Sequence, residues 1–133
     1  MEREYIILER FGLEPKHKYL QEIRTLLIEE TNSDNYQEHE YLKTLCIMLF
    51  SFGCVEDSLL IWNAKMKDFD AGCYIDGELL MGAGLDETIN YLTGVNTIRA
   101  KELIKYLQGF TSDGDYMKRS EVIEFYRRYY KLT

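Results

Sequence analysis

Proline is almost missing from this chain: 133 residues contain one, Pro15, alongside nine glycines. So thin a supply of turn formers argues against a meander or sandwich of many short strands. Long apolar runs are missing too. The longest strongly apolar stretch is 45–50, far short of the ~20 residues that cross a bilayer. The opening Met1-Glu2-Arg3-Glu4 leads into only four apolar residues, 5–8, too few for a secretory signal. Cysteine is limited to Cys46, Cys54 and Cys73, and histidine to His17 and His39. An odd thiol count without a CxxC pair implies a reducing, cytoplasmic setting and no structural zinc. No phosphate loop, dinucleotide fingerprint, HExxH or GxSxG is present. The expectation is therefore no cofactor, no metal and no membrane.

Positive charge is in short supply. Sixteen basic residues face 23 acidic ones, for a net charge of −7, which argues against nucleic acid as a partner. The balance is uneven. Residues 1–95 hold 8 basic and 18 acidic side chains (−10), and residues 96–133 hold 8 and 5 (+3). Either the two parts attract each other, or the acidic part faces a basic partner, or the surface is simply solvated.

What is present is helical spacing, over a length typical of one domain spanning 1–133. Residues 5–8 read equally as a short strand or a helix start. Pro15 suits a first helical turn, followed by Tyr19, Leu20, Ile23, Leu26, Leu27 and Glu30 on one face. Asp34 with Gln37 suggests a capping box opening a helix that runs to Phe52. Its last half, apolar all round, marks a central element, and Gly53 suits a left-handed end. A third helix carries Val55, Leu59, Trp62, Met66 and Phe69 as its stripe, which makes Trp62 a core residue. A break follows at 68–72. Asp76 opens a short helix ended by Gly82 and Gly84, and another runs over 85–92 to Gly94. Asn96 caps the next helix, with Ala100, Leu103, Ile104, Leu107 and Phe110 inward. After a turn at 111–116, Ser120 caps the last. The fold class is all-α: antiparallel hairpins over roughly 16–52, 55–93 and 97–131, as a HEAT-like helical repeat or an irregular helical bundle.

Chemistry-bearing residues are densest at 62–87. Asp68 and Asp70 ahead of Gly72 resemble the start of a calcium loop, but the twelfth position is Leu79, which cannot ligate. Helix capping by Asp70 and Asp76 explains the same carboxylates. His39 and Cys46 are about 10 Å apart along a helix, too far for a nucleophile pair. Eleven tyrosines are the other oddity. Tyr126, Tyr129 and Tyr130 alternate with Arg127, Arg128 and Lys131. They fit either core packing or an interface hot spot.

The stretch Trp62-Asn63-Ala64-Lys65, Phe69-Asp70, Ile75-Asp76 and Leu79-Leu80-Met81-Gly82-Ala83-Gly84-Leu85 resembles a group of small acidic bacterial all-helical proteins without an established activity. The resemblance covers about residues 62–92 and implies a helical fold, with no catalytic residues to carry over. In size, charge and class the chain is also similar to immunity proteins that neutralise toxins. The expected function is a non-enzymatic protein-binding domain, an immunity or adaptor protein. Lys65, Asp68, Asp70, Tyr74, Asp76 and Glu78 would recognise a basic partner such as a basic toxin. The alternatives are an enzyme using carboxylates of the same region on a small molecule, and self-association through the Tyr-rich last helix.

Overall fold

The computed structural model describes residues 2–34 and 39–132. Among them the chain forms eight α-helices: α1 Arg3–Phe11, α2 Leu20–Thr31, α3 His39–Phe52, α4 Asp57–Lys65, α5 Phe69–Tyr74, α6 Leu85–Val95, α7 Ile98–Phe110 and α8 Arg119–Tyr129. Two 3-10 turns, His17–Tyr19 and Gly77–Met81, join them, and no strand is present among the described residues. None of these helices is long and apolar enough to cross a membrane.

The architecture is an irregular bundle around α3. Ten successive residues of that helix, from Tyr41 to Phe50, are buried, Lys43 and Thr44 among them, and the apolar run 45–50 makes it central. It packs against α1, α2, α4, α5 and the second 3-10 turn. Gly53 leaves it at φ +72°, a conformation that a Cβ disfavours. The helix start inferred from Asp34 and Gln37 lies partly outside the described residues.

The hairpin α2–α3 is formed. Arg3 on α1 holds Glu30 of α2 through two hydrogen bonds, at 3.2 and 3.0 Å, and lies over the ring of Tyr41 on α3. The middle hairpin is not. α4 runs parallel to α2, pinned at one end by Arg24 Nε donating to Asp57 (2.6 Å) and at the other by Lys67 Nζ donating to the Glu30 carbonyl (2.7 Å). The short α5 and a 3-10 turn follow it, so the chain is not a stack of equal repeats. Trp62 is buried, as its spacing suggested, and packs against Tyr106. The far end of its proposed stripe fails: Val55 and Leu59 are half-buried, Leu59 against the core, but Met66 and Phe69 are exposed, and α4 also buries Asp57, Ser58, Ile61, Ala64 and Lys65. Asp57 and Lys65, each with a protein partner, occupy core positions that a hydrophobic pattern reserves for apolar side chains.

Other boundaries move for local reasons. Residues 5–8 belong to α1, where Ile7, Leu8 and Phe11 are buried while Tyr5 and Ile6 are exposed. Pro15 precedes the first 3-10 turn rather than opening α2. The break at 68–72 is a helix start, with Asp68 capping α5. Gly94 sits within α6, which ends at Asn96 in a left-handed conformation (φ +55°). Thr97 then caps α7 by accepting from the Ala100 N–H at 3.1 Å. Ser120 lies inside α8, whose first turn is tied by Glu121 accepting the Lys118 N–H at 2.9 Å.

Gly82 sits against α3, and a Cβ there would lie 2.7 Å from the Phe50 carbonyl oxygen. Gly109, inside α7, has nothing within 4 Å of its Cβ position. Gly82→Ala is expected to destabilise the fold by about 1–3 kcal/mol. Gly109→Ala is expected to stabilise it by up to about 1 kcal/mol. Urea unfolding midpoints of the two variants against the parent check both signs.

Candidate functional site

Helix α8 lies antiparallel to α3. At its start, the Arg119 guanidinium donates to the carbonyls of Phe50 (2.9 Å), Ser51 and Gly82 (3.1 Å). These include groups at the end of α3 that have no partner within that helix. Further along, the Tyr126 hydroxyl donates to Asp76. Near its other end the Tyr130 hydroxyl is hydrogen-bonded to Thr44 (2.6 Å), and the Tyr129 hydroxyl donates to Glu40.

These bonds sort the tyrosines of the last helix into two sets. Tyr126 and Tyr130 are buried with Val122, whereas Phe125 is 47% and Tyr129 43% exposed. The exposed pair stack on each other. Burial raises the hydroxyl pKa of all three tyrosines, assisted at Tyr129 by its bond to Glu40 and at Tyr126 by its bond to Asp76. Their hydroxyls therefore stay protonated donors at neutral pH.

Lys43 joins this surface to the 68–76 region. Its ammonium, largely buried, lies 4.1 Å from the centre of the Tyr129 ring, 5.5 Å from Tyr74 and 5.7 Å from Tyr126, with Glu40 at 3.3 Å. A cation held over ring faces adds attraction beyond apolar burial. Tyr74, 43% exposed, stacks on His39, whose Nε2 lies 3.3 Å from Asp68. Tyr5, also exposed, packs edge-on to Tyr130. The outcome is one surface built from α1, α3, α5 and α8. It displays Tyr5, Tyr74, Phe125 and Tyr129, with Glu40 and Asp68 half-buried among them. Beside it an open concavity of about 670 Å³ is lined by Met117, Glu121, Glu124, Phe125, Arg128 and Tyr129.

The six residues singled out from sequence fare unequally. Asp70 and Tyr74 are exposed. Asp68 is half-buried and caps α5 by accepting the Ala71 N–H at 2.7 Å. Asp70 does not cap, which corrects the expectation. Asp76 begins the second 3-10 turn without capping it through its side chain, and receives Tyr126 instead. Glu78 accepts the Met117 N–H at 3.0 Å. Lys65 is buried, donating to the carbonyls of Gly72 (2.6 Å) and Ile75, and burial pulls its pKa down. It holds α4 to α5 and is not presented at the surface. Sequence reasoning missed Lys43 and Glu40 altogether, because a polar pair three residues apart ahead of an apolar run reads as an exposed first turn.

The carboxylates at 68–78 are engaged one by one. Asp68, Asp76 and Glu78 each bind a different protein group, and Asp70 points to solvent. Among the described residues no three His, Cys, Asp or Glu side chains sit together as metal ligands. The thiols are free: Cys46 is buried, which raises its pKa, Cys54 is half-buried and Cys73 is exposed.

Two outcomes are expected of these bonds. Replacing Lys65 by Met strips the donor from two carbonyls and is expected to cost about 2–4 kcal/mol in urea unfolding. The Asp68 carboxyl is held below its ordinary value of 3.8, mainly by the Ala71 N–H and then by His39. A depressed carboxyl contributes stability that is complete above its unfolded value and is lost as pH falls through the folded one. Stability below pH 3.8 should therefore fall less steeply in Asp68→Asn than in the parent, as read from unfolding midpoints along a pH series.

No protein-family model, curated protein or solved structure matches this chain.

Proposed function

We propose that the chain is a non-enzymatic protein-binding domain that docks a basic partner on the tyrosine surface of α3, α5 and α8. One observation carries this reading: four aromatic side chains, from three separate helices, stay exposed while hydrogen bonds and ring contacts fix their orientation. Rigid amphipathic rings on a surface give large contact area at low entropic cost. Tyr5 and Tyr74 lie on α1 and α5, and Phe125 and Tyr129 on α8. Tyr74, from the 62–87 region, and Tyr129, from the tyrosine-rich helix, both lie against the Lys43 ammonium.

The chemistry around the rings favours cations. Asp68, Asp70 and Glu121 border the surface, while Glu124 pairs with Arg128 and Glu40 with Lys43. A net charge of −7 steers a basic protein toward it. Toxin neutralisation, which the size and charge resemblance implies, is one setting for such a surface. The enzyme alternative would pair Asp70 with Asp76 or Glu78; Asp76 and Glu78 already bind the Tyr126 hydroxyl and the Met117 N–H, and Asp70 stands exposed on α5.

The parent chain, used as bait in an extract of its host, is expected to retain a basic protein that salt releases. Tyr74→Ala with Phe125→Ala should lower that affinity at least tenfold, because exposed aromatic anchors are the usual hot spots. Asp70→Asn should slow association and flatten its salt dependence. Glu102→Gln, on α7, should change neither. Equal capture by the parent and the double variant would refute the docking surface, and an acidic partner would refute the charge argument.

A further inference from the structure

A second concavity lies away from the tyrosine surface, between α2, α4 and the first turn of α7. Its volume, about 490 Å³, falls within the usual range for small-molecule sites. Its lining departs from the rest of the molecule. The chain carries 23 acidic residues, yet among the described residues none lines this groove, whereas Lys67 and Arg99 both do.

The groove is also graded along its length. Because α2 and α4 run parallel, Leu27 and Leu60 stand at one end. Thr31 lies one helical turn beyond Leu27, and Lys67 two turns beyond Leu60. Ile28 and Met66, both exposed apolar side chains, complete the walls. The polar end carries an unanswered group: the Thr31 hydroxyl oxygen is buried and has no hydrogen-bond partner among the described residues. Buried hydroxyls without partners cost free energy. The closing carbonyls of α2 would repel an anion, but Lys67 already caps one of them, at Glu30 (2.7 Å). Arg99 is exposed and only loosely paired with Glu102, at 3.9 Å. It sits on the first turn of α7, where the helix dipole favours negative charge.

We infer that this groove binds a small amphiphilic carboxylate, a medium-length acyl chain with an ionised head. The chain lies toward Leu27 and Leu60. The head meets Arg99 and Lys67. Nothing in this assignment uses the tyrosine surface, so the two readings stand or fall separately.

Octanoate is the probe, followed by amide shifts of the ¹⁵N-labelled parent chain. Saturable shifts are expected at Ile28, Asn32, Asn63, Lys67 and Arg99. Arg99→Gln, a change at an exposed residue, should weaken binding about tenfold or more, the usual effect of losing a charged hydrogen bond. Ile28→Glu, which places a carboxylate on the wall, should abolish it, with the variant's own spectrum showing that it folds. Octanol, matched in length but uncharged, should bind at least tenfold more weakly than octanoate. The inference is overturned if octanol binds as tightly, if Arg99→Gln leaves affinity unchanged, if shifts centre on Tyr74 and Tyr129, or if they fail to saturate.

Discussion

The enclosure of α3 on all sides is the constraint to which the rest of the fold answers. A helix buried over ten successive residues has no solvent for its polar groups. Every one of them near an end or a side-chain branch must find a protein partner. Thr44 bonds its own helix at Glu40 and also Tyr130, and Ser51 donates to the Met48 carbonyl at 2.6 Å. The end of α3 is completed by Arg119, 69 residues away in sequence from Phe50. The position of α8 thus follows from the needs of α3, and with it the exposure of Phe125 and Tyr129.

Cations acting as hydrogen-bond donors to backbone oxygens recur in this molecule. Lys65 joins α4 to the carbonyls of Gly72 and Ile75, Lys67 joins the same segment to Glu30, and Arg119 joins α8 to α3 and Gly82. A long flexible side chain reaches a carbonyl that no backbone N–H can approach, and the charge strengthens the bond.

Helix content, the central place of α3 and the core role of Trp62 were all legible in the sequence, because each rests on the spacing of apolar side chains. The stripe of α4 was not. Asp57 and Lys65 take core positions because Arg24 and the carbonyls of Gly72 and Ile75 meet them there, and such partners are distant in sequence. The same blindness affected the site. Tyr74 and Asp70 are exposed, Asp76 is half-buried and bound to Tyr126, and Lys65 is buried, differences that spacing alone does not reveal. Nor does helical spacing tell exposed Tyr129 from buried Tyr130, since neighbouring residues differ by only 100° around the axis. A few tens of degrees in the seating of α8 decides which of the two meets solvent.

The parallel course of α2 and α4 carries a consequence of its own. The two helices are tied at both extremities, Arg24 to Asp57 and Lys67 to Glu30, so the gap between them has a fixed gauge. Sliding α4 along α2 would break both ties at once, so the register of the two helices, and with it the set of side chains that line the groove, is held from both ends.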